Sequence, residues 1–399
     1  MTAPASPNPG TAIVNGKGSP RLALLACSAT HFLNDGLMSS IYPLLPFLAV
    51  DFGLSYAAVG LVRTSLSGTA SLFQVPAGII AERIGERWLL GLGMAWFSVG
   101  FLALGLAGTF GLLLAVAVTG GLGSSTQHPL AAAIVSRAYE HRGRATALST
   151  LNFAGDLGKV ALPFIAGLIA VNNGWRISSG VLGLMGILLT LVFGSYLAGL
   201  RTPASATAAD GSSDRGWGIE RPGRFALLAT IGVIDETTRV GALTFLPFLL
   251  VNKGLDAAAT SALIALIFAC GAAGKLGCGV LADRFGNVAL IVLTELVTSL
   301  AVLLVVPATA AWLIPILVVF GFVLNGTSST LYATVADLVA VGRRARGYGL
   351  YYSCTLGMGT LAPVLYGLMA DRFGVPNTFV GMAGLTLLTV PLAFGLRHR

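Results

Sequence analysis

The sequence predicts an all-α polytopic membrane protein, with twelve transmembrane helices arranged as two six-helix, pseudo-symmetric halves. Three observations predict it. Of 399 residues, 55% are hydrophobic and only 10% are charged, against about 25% charged in ordinary globular chains, and the mean hydropathy is +0.84. Apolar stretches that can fill the roughly 20 residues of a membrane-spanning helix recur along the whole chain. The second half also repeats the first at an offset of about 201 residues. These features exclude a soluble enzyme, and the spans leave no room for an attached catalytic or receptor domain.

Apolar runs bounded by Gly, Pro, Asn or charged residues fall at 22–50, 56–81, 88–108, 111–137, 145–171, 175–200, 224–252, 257–281, 287–307, 311–339, 346–370 and 377–396. Residues 1–21, rich in Pro, Gly, Ser and Ala, read as a disordered cytoplasmic tail. The apolar run after them is too long and lacks the cleavage site of a signal peptide, so it reads as a retained first span. The N-terminal half is then 22–200 and the C-terminal half 224–396. The polar stretch 201–223 is a cytoplasmic linker, and 397–399 form a basic C-terminus. Cys27, Cys270, Cys278 and Cys354 lie in apolar stretches without metal-ligand spacing, so no disulfide, metal or cofactor is expected.

A net charge of +8 would suggest nucleic acid in a soluble chain, but here placement matters more than the sum. With both termini cytoplasmic, only Arg176, Lys253 and Arg372 fall on the opposite face and only Arg63, Lys159, Arg239 and Lys275 within spans. The remaining 17 of the 24 basic residues then face the cytoplasm. That bias predicts a multi-pass protein of the inner (plasma) membrane. Its expected partners are membrane lipids, protons and a small-molecule substrate, with no nucleic acid, and it is expected to be a monomer.

The repeat is visible in order along the chain. PFLAVDFGLS at 46–55 matches PFLLVNKGLD at 247–256, and GIIAERIG at 78–85 matches GVLADRFG at 279–286. Ser124-Ser125-Thr126 and the basic stretch 142–144 recur at a slightly larger offset as Ser328-Ser329-Thr330 and Arg344 to Arg346. Two like-oriented halves imply a pseudo-two-fold axis along the membrane normal, with a site between them near mid-membrane.

Gly78, Glu82, Arg83, Gly85 and Arg87 after span 2, repeated as Gly279, Asp283, Arg284 and Gly286 after span 8, resemble the G-x-x-x-D-R-x-G-R-R loop of major facilitator superfamily transporters. Glu82 replaces the family's Asp, and Asn287 replaces a basic residue. The resemblance covers about 22–396. It implies a gating role for Gly78, Glu82, Arg83, Arg87, Gly279, Asp283 and Arg284, through acidic, arginine and helix-end contacts between spans. Inside-positive anchoring is the plainer alternative for the two arginines. A partial third copy, Gly367, Asp371, Arg372 and Gly374, lies on the opposite face. Thr30 to Gly36, Tyr42 to Leu45, and Gly121 to Pro129 resemble the fosmidomycin-resistance-type branch of exporters, though Leu130 stands where that branch has an acidic residue.

Nine charges fall within spans: Asp35, Asp156, Asp235, Glu236 and Glu295 against Arg63, Lys159, Arg239 and Lys275. At roughly 3 kcal/mol each for isolated charges, the total is on the order of 27 kcal/mol, more than the roughly 5–15 kcal/mol of net stability typical of a domain. They must be paired, neutralised or wet, which argues for a central aqueous cavity. Helical spacing aligns Arg63, Ser67 and Gln74 in span 2, and Asn152, Asp156, Lys159 and Pro163 in span 5. It also aligns His31 with Asp35, Ser124 with His128, Asp235 with Arg239, and Tyr348 with Tyr352 and Thr355. Asn325 in span 10 completes the polar set.

At the repeat offset Asn34-Asp35 superimposes on Asp235-Glu236, so each half carries a carboxylate at equivalent depth. Asp35, Glu236 and Asp235 are the candidate proton carriers, because a half-desolvated carboxyl titrates nearer neutrality than one in water. Hydrogen bonding to His31 is the structural alternative for Asp35. Asp156–Lys159 and Asp235–Arg239 have pairing spacing, either as static ion pairs or as pairs that substrate or proton opens. Arg63 has no acid in its own span and is the candidate for an anionic group. His31, Gln74, His128, Asn152, Asp156, Lys159, Arg239, Asn325 and Tyr352 complete the candidate substrate set. Lys275 reads as gating or snorkelling.

No nucleophile–base motif appears, and Gly274-Lys275 is not a phosphate loop, because Ala269 and Leu276 break the pattern. The expected function is secondary active transport by alternating access, as proton-coupled efflux. Proton-coupled uptake of a small organic anion is the alternative.

Overall fold

The computed structural model describes residues 20–139, 143–199, 218–340 and 344–396. The expected tail up to residue 19, the linker residues 201–217 and the basic residues Arg142, Arg343, Arg397 and Arg399 lie outside the described residues, as does the Glu82 side chain.

Among the described residues, fifteen helical segments build twelve rods. They are α1 (Pro20–Phe52), α2 (Tyr56–Leu72), α3 (Gln74–Ile84), α4 (Glu86–Leu104), α5 (Phe110–Ser124), α6 (Gln127–Ala138), α7 (Arg144–Asn173), α8 (Trp175–Gly199), α9 (Pro222–Asn252), α10 (Ala257–Phe285), α11 (Asn287–Leu304), α12 (Ala310–Leu338), α13 (Arg344–Phe373), α14 (Val375–Leu387) and α15 (Thr389–Phe394). Among the described residues no strand forms beyond one isolated bridge, Ile219 to Val339.

The pairs α2/α3, α5/α6 and α14/α15 are each one span with a break. Proline explains all three: its ring collides with the carbonyl four residues earlier, and it brings no N–H. Pro76, Pro129 and Pro391 point back to Leu72, Ser125 and Leu387, and the breaks fall at Phe73, Ser125-Thr126 and Leu388.

Nine of the rods are long and apolar enough to cross a membrane by composition alone. The other three are α1, α2 with α3, and α9. They carry His31, Asp35, Arg63, Gln74, Asp235, Glu236 and Arg239, so the polarity that lowers their hydropathy is the polarity that builds the site.

The turns show why the repeat keeps its glycines. Gly85, Gly286 and Gly374 have φ of 97°, 85° and 81°, a region that L side chains rarely adopt. Each ends its helix by donating its N–H to an alanine carbonyl four residues earlier, at Ala81, Ala282 and Ala370. The recurring Ala-acid-Arg-x-Gly motif is thus first a helix stop. The N-caps repeat as well: the Ser55 side chain accepts from Ala58 N, and Asp256, its counterpart, accepts from Ala259 N.

The buried core has a shape that matters for function. Toward the face bearing the α1–α2, α9–α10 and α13–α14 turns, one continuous cluster joins both halves, running from Leu45, Leu48 and Val59 to Phe245, Leu249 and Ile264. Toward the face bearing the α3–α4 and α10–α11 turns the core divides. One cluster gathers Ala26, Leu90, Leu130 and Ala147 of the first half, and a separate one gathers Leu228, Ile291, Leu331 and Tyr351 of the second. The halves are therefore fused at one end and split at the other.

Candidate functional site

A cavity of about 620 Å³ lies between the halves, lined by residues of α1, α2, α3, α5, α6, α7, α9, α10, α12 and α13. Its first-half wall carries Asn34, Asp35, Tyr42, Arg63, Gln74, Ser124, His128 and Lys159, and its second-half wall carries Glu236, Arg239, Phe268, Asn325, Tyr332 and Tyr352. Of the expected substrate set, Arg63, Gln74, His128, Lys159, Arg239, Asn325 and Tyr352 meet here, along with two of the expected proton carriers, Asp35 and Glu236.

Asp35 is the hub of the first-half wall. Lys159 Nζ lies 3.0 Å from its Oδ2, His31 Nε2 3.4 Å from the same oxygen, and His128 Nε2 3.6 Å from Oδ1. Asn34 Nδ2 donates to Oδ1 at 3.1 Å, and Ser124 Oγ donates to Asn34 Oδ1 at 2.7 Å. Gly155 makes this crowding possible, because a Cβ there would fall against the His31 ring and the Asp35 carboxylate. His31, Asp35 and His128 bring three ligand-type atoms within 4.8 Å of one another. Lys159, however, already supplies the positive charge at this carboxylate, and a metal would have to displace it.

Glu236, the counterpart of Asp35, is paired with Arg239 one turn further along α9. Gly359 sits against it as Gly155 sits against Asp35. This corrects the expected Asp235–Arg239 pair: the arginine turns to Glu236 on the cavity wall. Asp235 points away, buried, with Oδ1 lacking a hydrogen-bond partner, and does not line the cavity. A spacing of three from Glu236 and of four from Asp235 are equally good on a helix, so the direction of the cavity decides between them.

Lys275 is also corrected. Its ammonium does not reach outward but is held by an acid: Nζ lies 2.7 and 2.8 Å from the two Asp156 carboxylate oxygens, joining α10 of the second half to α7 of the first. Lys159 shares Asp156 Oδ1 at 3.3 Å. Asp156 thus sits behind the cavity wall, in a bridge between halves, rather than on the substrate surface. Asn152, one turn away, is exposed and outside the cavity lining.

Arg63 is only 7% exposed. Its Nη2 donates to the Tyr42 hydroxyl at 2.9 Å, its guanidinium lies 4.9 Å from that ring's centre, and Nη1 approaches Met38 Sδ at 3.9 Å. Nε has no partner, and among the described residues no carboxylate pairs with it. The expectation that it lacks an acid in its own span extends to all the described residues. A buried cation with no counter-ion is costly, so an incoming anion has the most to gain at this point of the wall.

The expected gating loops are less engaged. Gly78 is half-buried, Arg83, Asp283 and Arg284 are exposed, and Arg284 rests over the Phe285 ring. Gly279 and Arg87 are half-buried. Among the described residues, Arg83, Arg87 and Asp283 form no ion pair. The pair present on this face joins Arg137 of α6 to Glu86 of α4, which the motif did not indicate.

On the opposite face the third motif copy joins the two halves. The Asp371 carboxylate accepts from the Tyr56 N–H at 2.7 Å and the Ala57 N–H at 3.0 Å, capping the first turn of α2 from the other half. Close packing continues beside it. A Cβ on Gly60 would collide with the Pro363 carbonyl, and one on Gly367 with that of Tyr56. Thr64 Oγ1 donates to the Thr360 carbonyl at 2.7 Å.

Two helical halves clasped at one face, parted at the other and enclosing a charged cavity are the architecture of a membrane transporter. The chain belongs to the Major Facilitator Superfamily, whose sequence profile matches residues 27–234 and again 228–399. It is similar to the fosmidomycin resistance protein of Escherichia coli K12, with 26% identity over 97% of this chain and 96% of that protein. Its fold is similar to a mutant of the nucleoside transporter NupG (TM-score 0.79, 14% identity, 94% of this chain and 100% of that one). It also resembles a bacterial homologue of the human lysosomal transporter Spinster (TM-score 0.77, 17% identity, 94% and 96% covered). The protein is a multi-pass membrane transporter of the kind that binds small molecules and typically works as a monomer, and it is not an enzyme.

Proposed function

We infer that the protein is a proton-driven exporter of a small polar compound, working in the inner membrane with both termini in the cytoplasm. The observation that carries this reading is Asp35, a cavity-wall carboxylate held jointly by Lys159, His31 and His128. A substrate that donates to Asp35 competes with a proton for the same oxygens. His128, which lines the cavity and meets Asp35 Oδ1, is the group through which that proton arrives. Arg63 holds an anionic group of the substrate, and Gln74, Asn325 and Tyr352 contact the rest. Glu236 and Arg239 serve as the opposing charged pair. Gly78, Glu82, Arg83, Arg87, Gly279, Asp283 and Arg284 act in the other half of the cycle, when their face closes. Similarity to a fosmidomycin resistance protein supports the outward direction.

One observation favours a second reading. Arg63 has no acid partner, and an anion bound there would strengthen proton binding at nearby Asp35, since coupling between two sites is reciprocal. Proton and anion would then travel together, as in uptake. Proteoliposomes loaded with fosmidomycin, with a pH-sensitive dye outside, separate the two. Export by exchange moves protons against the compound, and uptake moves them with it. Driven flux that persists in Asp35→Asn at the wild-type rate would overturn the role given to Asp35.

A further inference from the structure

The site above leaves two buried acids unused. Glu295 on α11 is fully buried, and neither of its carboxyl oxygens has a hydrogen-bond partner. Asp235 on α9 interacts with it electrostatically and is itself 4% exposed, with Oδ1 likewise unpartnered. Among the described residues neither forms an ion pair. Arg239, the nearest base to Asp235, is engaged by Glu236, and Lys275 is engaged by Asp156. The other titratable groups facing the pair are the Tyr351 hydroxyl from α13 and, toward Asp235, Tyr332 from α12. α14 and α15, also packed against α11, contain no charged residue. Thr389 of α15 is close to Glu295, but its hydroxyl donates to the Thr386 carbonyl at 2.5 Å. The Thr298 hydroxyl, one turn along α11, is buried without a partner.

Two adjacent carboxylates cannot both stay ionised in a dry pocket without a cation. A single proton held between them removes one charge and supplies the missing donor. The fold does not require acids here. At the repeat offset the counterparts of Asp235 and Glu295 are Asn34, a neutral amide bonded to Ser124, and Met94. The equivalent positions of the first half carry no charge at all.

We propose that Asp235 and Glu295 form a proton-binding site inside the second half, with the proton shared between α9, which lines the cavity, and α11, which does not. The adjacent α9 residue, Glu236, is on the cavity wall, so a shift of α9 that draws Asp235 from Glu295 opens the site toward cavity water. The link to transport rests on the proton-coupled reading above, while proton binding itself does not.

The test is infrared difference spectroscopy of the purified full-length protein in lipid nanodiscs, titrated with pH alone. The wild type is expected to show the C=O stretch of a protonated carboxylic acid at neutral pH, removed in Glu295→Gln and shifted in position and titration midpoint in Asp235→Asn. A band that survives Glu295→Gln unchanged overturns the proposal, and so does one indifferent to Asp235→Asn. Both variants keep the side-chain shape, and thermal unfolding in the same nanodiscs verifies that each is folded. Absence of pH-driven fosmidomycin flux in the wild type would count against the export reading and leave the spectral result standing.

Discussion

Lys275 and Asp156, 119 residues apart, form the charged contact that ties the two halves together beside the cavity, with Nζ 2.7 Å from Oδ1 and 2.8 Å from Oδ2. Asp156 is also touched by Lys159, which in turn holds Asp35. The bridge between halves and the candidate proton site are therefore consecutive links of one chain of charges. Any movement of α10 away from α7 redistributes Lys159 between two carboxylates.

This link should be measurable. Because the Lys275 side chain is 37% exposed, its loss is expected to cost about 1 kcal/mol rather than the larger penalty of a sealed pair. Lys275→Gln should lower the melting temperature slightly and raise the rate of substrate exchange. A double-mutant cycle with Asp156→Asn, read from melting curves in nanodiscs, should return a coupling energy of that size for the pair.

Arg63→Ala should weaken binding of an anionic substrate by about 10- to 100-fold, the worth of one charge-assisted hydrogen bond. Tyr42→Phe, which removes the hydroxyl that orients the guanidinium, should give a smaller loss. Thermal shift against a panel of anions and cations reads both, since a ligand stabilises by mass action. Equal shifts from cationic compounds in the wild type and Arg63→Ala, with none from anions, would contradict the role of Arg63.

Asp371→Ala removes a cap worth about 0.5–2 kcal/mol, and that cap spans the two halves. Amide hydrogen exchange at Tyr56 and Ala57 should accelerate. Asp283→Ala, the same motif position on the other face, is exposed and makes no such bond, so its exchange profile should match the wild type. The comparison separates the helix-stop role of the motif, which both copies share, from the clasp, which only one has.

The glycines divide in the same way. Gly158 packs within the first half, where a Cβ would strike the Phe32 carbonyl, so Gly158→Ala should destabilise the fold by about 1–3 kcal/mol through overpacking. Gly60 meets Pro363 across the halves. Gly60→Ala should leave the melt nearly unchanged but speed amide exchange around residue 56, because the clasp rather than the half is disturbed.

Much of this was legible in the chain. Hydropathy located the rods within a few residues, and the repeat offset paired Asp35 with Glu236, which the cavity then brought face to face. Composition also marked the cavity itself, since the polar residues of α1, α2 and α9 had no other place to go. The partners chosen by those residues were hidden. Helical spacing left Arg239 equally close to Asp235 and Glu236. It contained nothing of the 119-residue separation between Asp156 and Lys275, nor of Tyr42 beneath Arg63. Motif matching pointed to the acidic residues at 82 and 283. The copy that clasps the halves in this arrangement is the one at 371, which ends its helix beside the first amides of α2.

The clasp at Asp371 is written in only one of its two partners. Its acceptor is a side chain, but its donors are the main-chain N–H groups of Tyr56 and Ala57, which every residue except proline supplies. This bond therefore puts no demand on the side chains at 56 and 57, and pairwise covariation arising from it will find no companion for Asp371. A search for second-site suppressors of its loss will find none by altering side chains at 56 or 57. Compensation has to come from another acceptor, placed on α13 or the turn that follows it.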